Sequence, residues 1–169
     1  MVGEGGGASA ASGISGRISR MASPLRLRAS ARWAADTFDR ALAIDAGLPE
    51  ALIGRAELLI RAEHERDAAP LLERARAALT TRIRPPVLQA RLLMLEGRVA
   101  LRARDQDGAR AKLREATAIP GVPAEAFFFL GESLAGDNAP DARAAYLRYL
   151  ELAPDGSLAS RARRATSGR

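Results

Sequence analysis

The chain of 169 residues carries a formal net charge of +6, contains no cysteine and is 47% hydrophobic. This length fits one compact domain or one short repeat array. The absence of cysteine excludes disulfides, thiolate metal sites and cysteine nucleophiles. Apolar runs fall far short of the ~18 residues that a membrane span needs, so we expect a soluble chain, located in the cytoplasm. The abundance of arginine and alanine fits GC-rich coding DNA, as in a bacterial protein.

The positive charge is concentrated at the two ends of the chain. Residues 1–32 contain five arginines and one glutamate, residues 156–169 contain four arginines and no acid, and the segment between them is nearly neutral. Residues 1–30 are rich in Gly, Ser and Ala, which predicts a flexible basic leader. Residues 14–32 also fit two other interpretations. They form either a degenerate first helix that Pro24 interrupts, or a segment that directs the chain to an organelle or binds an anionic surface.

From Ala31 onward the sequence predicts an all-α protein. Apolar residues recur three and four positions apart, and alternating strand patterns are missing. We expect Pro70 and Pro140 to lie in the first turn of a helix, where a missing N–H costs no hydrogen bond. Turn-forming residues predict helix breaks at Ala46–Pro49, Glu65–Asp67, Arg84–Pro86, Asp105–Gly108, Pro120–Pro123, Gly136–Asn138 and Pro154–Gly156.

An internal repeat combines small and large residues at fixed spacing. Each copy has an alanine, a large residue four positions later and, three positions after that, a further alanine or tyrosine. The copies begin at Ala34, Ala68, Ala109 and Ala142, so their starts are 34, 41 and 33 residues apart. A period of this length is typical of stacked helical hairpins.

The best copy contains Phe127, Leu130-Gly131, Leu134, Ala142, Tyr146 and Pro154. It resembles the signature of the tetratricopeptide repeat family, W-x2-L-G-x2-Y followed by A-x3-F and P. Two other copies depart from the family at Arg55 and Glu96, where leucine is preferred, and the first copy keeps only its second helix clearly. The resemblance covers residues 31–156 and implies an α-α superhelix of about three to four helical hairpins.

In such hairpins, alanine or glycine allows two antiparallel helices to approach closely. We expect large residues such as Leu72 and Leu113 to fill the space between adjacent hairpins. The 41-residue interval predicts a longer turn at Thr80–Pro86. Residues 157–169 are predicted to form a basic capping helix and tail, with apolar positions between Leu158 and Ala165.

The sequence does not predict an enzyme. His64 is the sole histidine and lies among charged residues at a predicted turn, which is typical of a solvated side chain. No nucleophile elbow or phosphate-binding loop is present in the sequence. We therefore expect no catalytic residues, no metal site and no cofactor.

The resemblance implies a protein-interaction module or scaffold whose concave groove binds a peptide or helix of a partner. Ile53, Met94 and Phe128 either form an exposed apolar floor there or pack against neighbouring helices. The alternative function is binding of nucleic acid or an anionic surface through the basic terminal segments. The family geometry places the following residues in the groove: Glu50, Ile53, Glu57, Ile60, Arg61, Arg91, Met94, Arg98, Leu101, Arg102, Glu125, Phe128 and Glu132.

Some family members hold a C-terminal carboxylate with a clamp of lysine and asparagine. Neither residue type occupies the matching places in this chain, so the resemblance does not imply that specialised activity here. Arg98 and Arg102 are instead expected to supply a positive centre for a partner that carries carboxylates.

Overall fold

The computed structural model describes residues 24–81, 85–137 and 139–167, and these residues form helices without any strand. The prediction of an all-α protein is confirmed. The described helices are α1 (Pro24–Ile44), α2 (Pro49–Arg61), α3 (Glu65–Thr81), α4 (Pro86–Arg102), α5 (Gln106–Thr117), α6 (Glu125–Leu134), α7 (Ala139–Leu152) and α8 (Ala159–Thr166).

Consecutive helices pack in pairs, and the pairs stack in a row. Helices α2 and α3, α4 and α5, and α6 and α7 form three hairpins, with α1 packed on α2 and α8 packed on α7. The first helices of the hairpins also contact one another, α2 with α4 and α4 with α6. Helices α2, α4 and α6 form an inner layer, and the stacked hairpins together form a superhelix, as the repeat predicts.

The repeated alanines lie at the contacts between helices. Ala68 and Ala109 are 0% exposed and Ala142 is 3% exposed, and all three belong to one continuous core. Leu113 is fully buried and lies against Gly97 of its own hairpin, where an added Cβ would come 2.5 Å from the leucine Cγ. The large side chain therefore fills space inside the hairpin, whereas we expected it to fill the space between hairpins.

Two hairpins share the same turn between their helices. Glu63 and Arg104 have φ angles of 62° and 63°, in the left-handed region that favours glycine. After each, a backbone N–H bonds to a carbonyl five residues earlier, from His64 to Leu59 at 2.9 Å and from Asp105 to Ala100 at 3.0 Å. This is the hydrogen bond that closes a helix in a Schellman motif. The repeat is therefore visible in the backbone as well as in the sequence.

Three sequence predictions about the helices are wrong in detail. Pro24 begins α1 instead of interrupting a helix, because a first-turn proline loses no intrahelical hydrogen bond. The predicted leader thus overlaps α1 at residues 24–30, and residues 1–23 lie outside the described part of the chain. Pro70 lies inside α3, in its second turn, because the break falls at residues 62–64 and α3 already begins at Glu65.

The extra residues of the 41-residue interval lengthen a helix. Helix α3 continues to Thr81, six residues past Ala75, whereas α5 ends one residue past Ala116. The expected longer turn at Thr80–Pro86 is therefore wrong in its first two residues and in its last, which are helical, while residues 82–84 lie outside the described residues. Alanine-rich sequence with high helix propensity explains this extension.

The predicted capping helix is present as α8. Ala159 and Ala162 are buried against the array, and exposed arginines alternate with them. Within the described residues, no helix combines the length and the apolar character needed to cross a bilayer.

Candidate functional site

A concave groove with a volume of about 790 Å³ opens on the inner layer of helices. Helices α2, α4 and α6 supply most of its wall because they neighbour one another, and the start of α8 closes one end. The lining residues are Glu57, Arg61, Glu63, Glu65, Arg91, Met94, Leu95, Arg98, Leu101, Arg102, Pro123, Glu125, Phe129, Glu132, Ser157, Leu158 and Arg161.

Most residues that the family geometry places in the groove do line it. They come from all three inner helices, and the five predicted on α4 are all present. The predicted residues that line the groove are Glu57, Arg61, Arg91, Met94, Arg98, Leu101, Arg102, Glu125 and Glu132.

Ile53, Ile60 and Phe128 do not line this groove, and Glu50 does not either. Ile53 and Ile60 are 0% exposed and Phe128 is 1% exposed, so these three side chains belong to the core. Phe128 packs edge-on against the ring of Tyr146, with ring centroids 5.4 Å apart. Packing against neighbouring helices is therefore the correct alternative for Ile53 and Phe128. Met94 is buried to 6% exposure and still contributes to the groove wall.

Phe129 is the aromatic residue of the groove that sequence reasoning missed. It follows Phe128 directly and is therefore turned about 100° around α6. Glu63 reaches the groove from the turn between α2 and α3, and Glu65 from the first position of α3. Ser157, Leu158 and Arg161 reach it from the capping end. The basic pattern of α8 is the one sequence signal that could have pointed to Arg161.

Ion pairs between helices hold most of the groove's charges. Glu57 accepts hydrogen bonds from Arg61 at 2.5 Å and from Arg91, which joins α2 to α4. Arg102 donates through Nε to Glu65 at 3.0 Å and lies 3.6 Å from Glu63. These pairs order the side chains along the rim and neutralise most of their charge.

Arg98 stands apart from this pairing, at the centre of the groove. None of the described carboxylates forms a salt bridge with it, whereas its guanidinium donates to the backbone oxygen of Ile60 at 3.3 Å. The guanidinium carbon also lies 5.4 Å from the centroid of the Phe129 ring, in a cation–π arrangement. Desolvation by burial lowers the pKa of Arg98, opposed by the charge of Glu65. The side chain remains charged because arginine begins from a very high pKa.

Glu132 and Arg161 form the pair at the opposite end of the groove from α2. Arg161 donates to Glu132 at 2.5 Å and its guanidinium lies 4.9 Å from the centroid of the Phe128 ring. Desolvation by burial raises the pKa of Glu132, and the nearby charge of Arg161 opposes that shift. This pair fastens α8 to α6.

His64 lies in the turn between α2 and α3, where the sequence predicts a solvated side chain. Its side chain is 61% exposed, and Nδ1 is 3.6 Å from Asp67. Among the described residues, no group of three or more acidic or histidine side chains is arranged to hold a metal ion.

The arginines of α8 are partly engaged within the fold. Arg161 pairs with Glu132, and Arg163 donates to the carbonyl oxygen of Pro154 at 2.6 Å. Such contacts leave fewer free cations at this end for phosphate groups. The basic residues before Pro24 lie outside the described residues.

Comparison of the chain with family models, with curated proteins and with solved structures finds no match. The groove and its residues are therefore the features that indicate a function.

Proposed function

We propose that the protein is a protein-interaction module of the tetratricopeptide type, and that its concave groove binds a peptide segment of a partner protein. The stacked hairpins, the repeat spacing and the small-against-large packing support this assignment. The observation that carries the proposal is the groove itself, which crosses three inner helices and reaches α8.

The size and lining of the groove suit a peptide. A volume of about 790 Å³ lies in the upper part of the range of ~300–1,000 Å³ found for small-molecule sites, and the groove is drawn out along three helices, as an extended ligand requires. Apolar side chains of Met94, Leu101, Phe129 and Leu158 lie among charged ones in the lining. An apolar surface with polar groups at its edges is the pattern used to bind helices and extended peptides.

The lining also supports binding in preference to catalysis. Among the groove residues there is one hydroxyl side chain, Ser157, and no histidine that could act as its base. The carboxylates Glu57, Glu65 and Glu132 are held by arginines, which favours a structural role for them. We propose a non-enzymatic protein that needs no cofactor for this activity.

A pair of matched substitutions tests whether the groove is the binding surface. Ser157 is exposed and lines the groove, whereas Ser160 is exposed on α8 outside it. Short peptides are first selected from a displayed random library with the full chain, and their Kd values are then measured by fluorescence anisotropy. We expect Ser157→Trp to weaken binding about tenfold or more, equivalent to ~1.4 kcal/mol, because the indole occupies the groove.

Ser160→Trp is the control, since it adds the same bulk to the same segment away from the groove. It should bind the selected peptides with the Kd of the wild-type chain. Equal Kd values for the wild-type chain and Ser157→Trp would show that the peptides bind elsewhere, and a library that yields no binding peptide would also refute the proposal.

A further inference from the structure

We propose that the groove recognises an internal aspartate or glutamate of the partner peptide through Arg98, with an apolar neighbour of that acidic residue resting on Phe129. This inference depends on the proposed peptide-binding function and specifies its chemistry. The ligand is thus an acidic-apolar segment within a chain, not a chain end.

The charge pattern of the groove singles out Arg98. Each of the other arginines that line the groove has a carboxylate partner, and these arginines are Arg61, Arg91, Arg102 and Arg161. Arg98 forms no salt bridge with the described carboxylates, although Glu65, Glu57 and Glu132 are close enough to interact with it electrostatically. A half-buried cation without a counter-ion is a site where a ligand carboxylate gains a charge-assisted hydrogen bond.

The contacts that Arg98 makes within the fold leave most of its donors available. A guanidinium has five N–H donors, and the bond to the Ile60 oxygen uses one of them at a long distance of 3.3 Å. The cation–π contact with Phe129, at 5.4 Å from the guanidinium carbon to the ring centroid, involves no oxygen acceptor. The remaining N–H groups can bind both oxygens of one carboxylate.

The position of Arg98 along the groove indicates an internal acidic residue. Arg98 belongs to α4, the middle of the three inner helices, and the groove continues past it toward Glu57 on α2 and toward Arg161 on α8. A peptide that fills the groove therefore continues on both sides of Arg98. A terminal carboxylate at this position would leave half of the groove empty.

Apolar side chains lie next to Arg98 on α6 and on its own helix, α4. Phe129, which is 8% exposed, is in contact with the guanidinium, and Met94, which is 6% exposed, and the half-buried Leu101 lie within about one turn of Arg98 on α4. A leucine or phenylalanine beside the acidic residue would bury its side chain on this surface. We therefore expect the groove to select peptides in which an acidic residue and an apolar residue are neighbours.

The experiment compares library selections with the full wild-type chain and with Arg98→Met, which keeps an unbranched apolar stem but removes the charge. Arg40→Met is the matched control, since Arg40 is exposed on α1 outside the groove. A selected peptide is then synthesised with a free and with an amidated C-terminus, and with its acidic residue changed to the amide. The last change tests the carboxylate without altering the protein.

We expect the wild-type chain and Arg40→Met to select peptides with an internal Asp or Glu beside a large apolar residue, and Arg98→Met to lose that preference. The amide substitution should weaken binding to the wild-type chain about tenfold to a hundredfold, and should have little further effect on Arg98→Met. C-terminal amidation should leave Kd unchanged.

Different failures have different meanings. Peptides that are blocked by Ser157→Trp but carry no acidic residue, or bind Arg98→Met equally well, would overturn this inference and leave the proposed function intact. Loss of binding on amidation would identify a terminal carboxylate and would also overturn it. Peptides insensitive to Ser157→Trp would refute the proposed function itself.

Discussion

Gly131 on α6 lies directly against the ring of Tyr146 on α7, so close that a Cβ at position 131 would be 2.7 Å from the nearest ring carbon. Gly97 has the same relation to Leu113 in the preceding hairpin. A missing side chain on the first helix thus makes room for a large one on the second. This pairing sets the distance between the helices and so the shape of the inner layer that carries the groove.

Gly131→Ala is therefore expected to destabilise the protein, although alanine normally favours a helix over glycine by about 1 kcal/mol. Overpacking against a rigid ring should outweigh that gain and lower the free energy of unfolding by about 1–3 kcal/mol. Urea denaturation followed by circular dichroism measures the change. Gly136→Ala is the control, because no atom lies within 4 Å of a Cβ built there; an equal effect of the two substitutions would contradict the pairing.

Substitution of Leu113, the large residue that lies against Gly97, tests the same pairing from the second helix of the hairpin. Its side chain is 0% exposed, and Leu113→Ala would leave a cavity against Gly97, at a cost of about 2–5 kcal/mol in the free energy of unfolding. Leu152→Ala makes the same chemical change at a side chain that is 47% exposed and should cost no more than about 0.5 kcal/mol. Comparable losses for both leucines in thermal or urea unfolding would show that Leu113 is not a core residue.

Glu96 occupies a position where the repeat signature prefers leucine, and its side chain is 10% exposed. It accepts a hydrogen bond from Arg76 of α3 at 2.9 Å and lies 3.5 Å from Lys112 of α5, so one carboxylate joins three helices. Glu96→Gln should lower the free energy of unfolding by about 1–3 kcal/mol, because the charge-assisted contacts are lost while the polar group stays buried.

Glu96→Leu is expected to be better tolerated than Glu96→Gln. Leucine leaves no polar group to desolvate, and the cations of Arg76 and Lys112 can reach solvent because their side chains are 53% and 33% exposed. The two variants are compared by their urea midpoints at equal slope. A glutamine variant as stable as the wild-type chain would show that the carboxylate does not stabilise the array.

Sequence reasoning predicted the groove best on α4. The five residues predicted there share one face of α4 by helical periodicity. Helices α2 and α6 pack on the two sides of α4, so the strip between them is the part of α4 that faces the groove. On α2 the prediction included Ile53 and Ile60, which are buried, because the rotation of α2 is set by its packing. The ring of Phe38 on α1 fills the space above Gly54 of α2. The sequence of α2 alone does not predict this contact with another helix.

Three consecutive phenylalanines on α6 show a second limit. Residues 127, 128 and 129 are equally apolar, and each is turned about 100° from the last, so hydrophobicity cannot choose between them. Contacts of Phe128 with the rings of Tyr146 and Tyr149 bury it fully, whereas Phe129, 8% exposed, is also part of the groove wall. Spacing predicted the fold because the repeat records distances between helices, whereas the site depends on side-chain rotation that only the folded neighbours fix.

Arg104 offers a test of the turn that recurs between hairpin helices. Its φ of 63° costs a residue with a side chain about 1–2 kcal/mol relative to its preferred conformations, and glycine avoids that cost. Arg104→Gly should therefore leave stability unchanged or raise it by up to about 1 kcal/mol, once the greater flexibility of glycine in the unfolded chain is included. Arg40→Gly, within α1, should instead cost about 1 kcal/mol. Equal losses at the two positions in urea denaturation would contradict the left-handed turn.

Glu132 links the groove to pH. Burial raises its pKa above the ordinary value of 4.5, so the folded protein binds this proton more tightly than the unfolded chain does. The free energy of unfolding therefore contains a component that is largest below pH 4.5 and is lost as pH rises through the raised pKa. The Glu132→Gln variant lacks this component. The free energy of unfolding of the wild-type chain minus that of the variant should therefore fall as pH rises from about 4.5, and become constant above the raised pKa.

Urea denaturation of both chains at closely spaced pH values from about 4 to 8 measures that difference. Glu115→Gln, at an exposed position on α5, is the matched control for removal of one carboxylate from the chain. A difference that stays flat would mean that the attraction of Arg161 cancels the desolvation of Glu132, and a difference that rises with pH would mean that the attraction outweighs it. In that case the pair would stabilise the closed end of the groove most at neutral pH, and the Glu132 carboxylate would be the dominant anchor of α8.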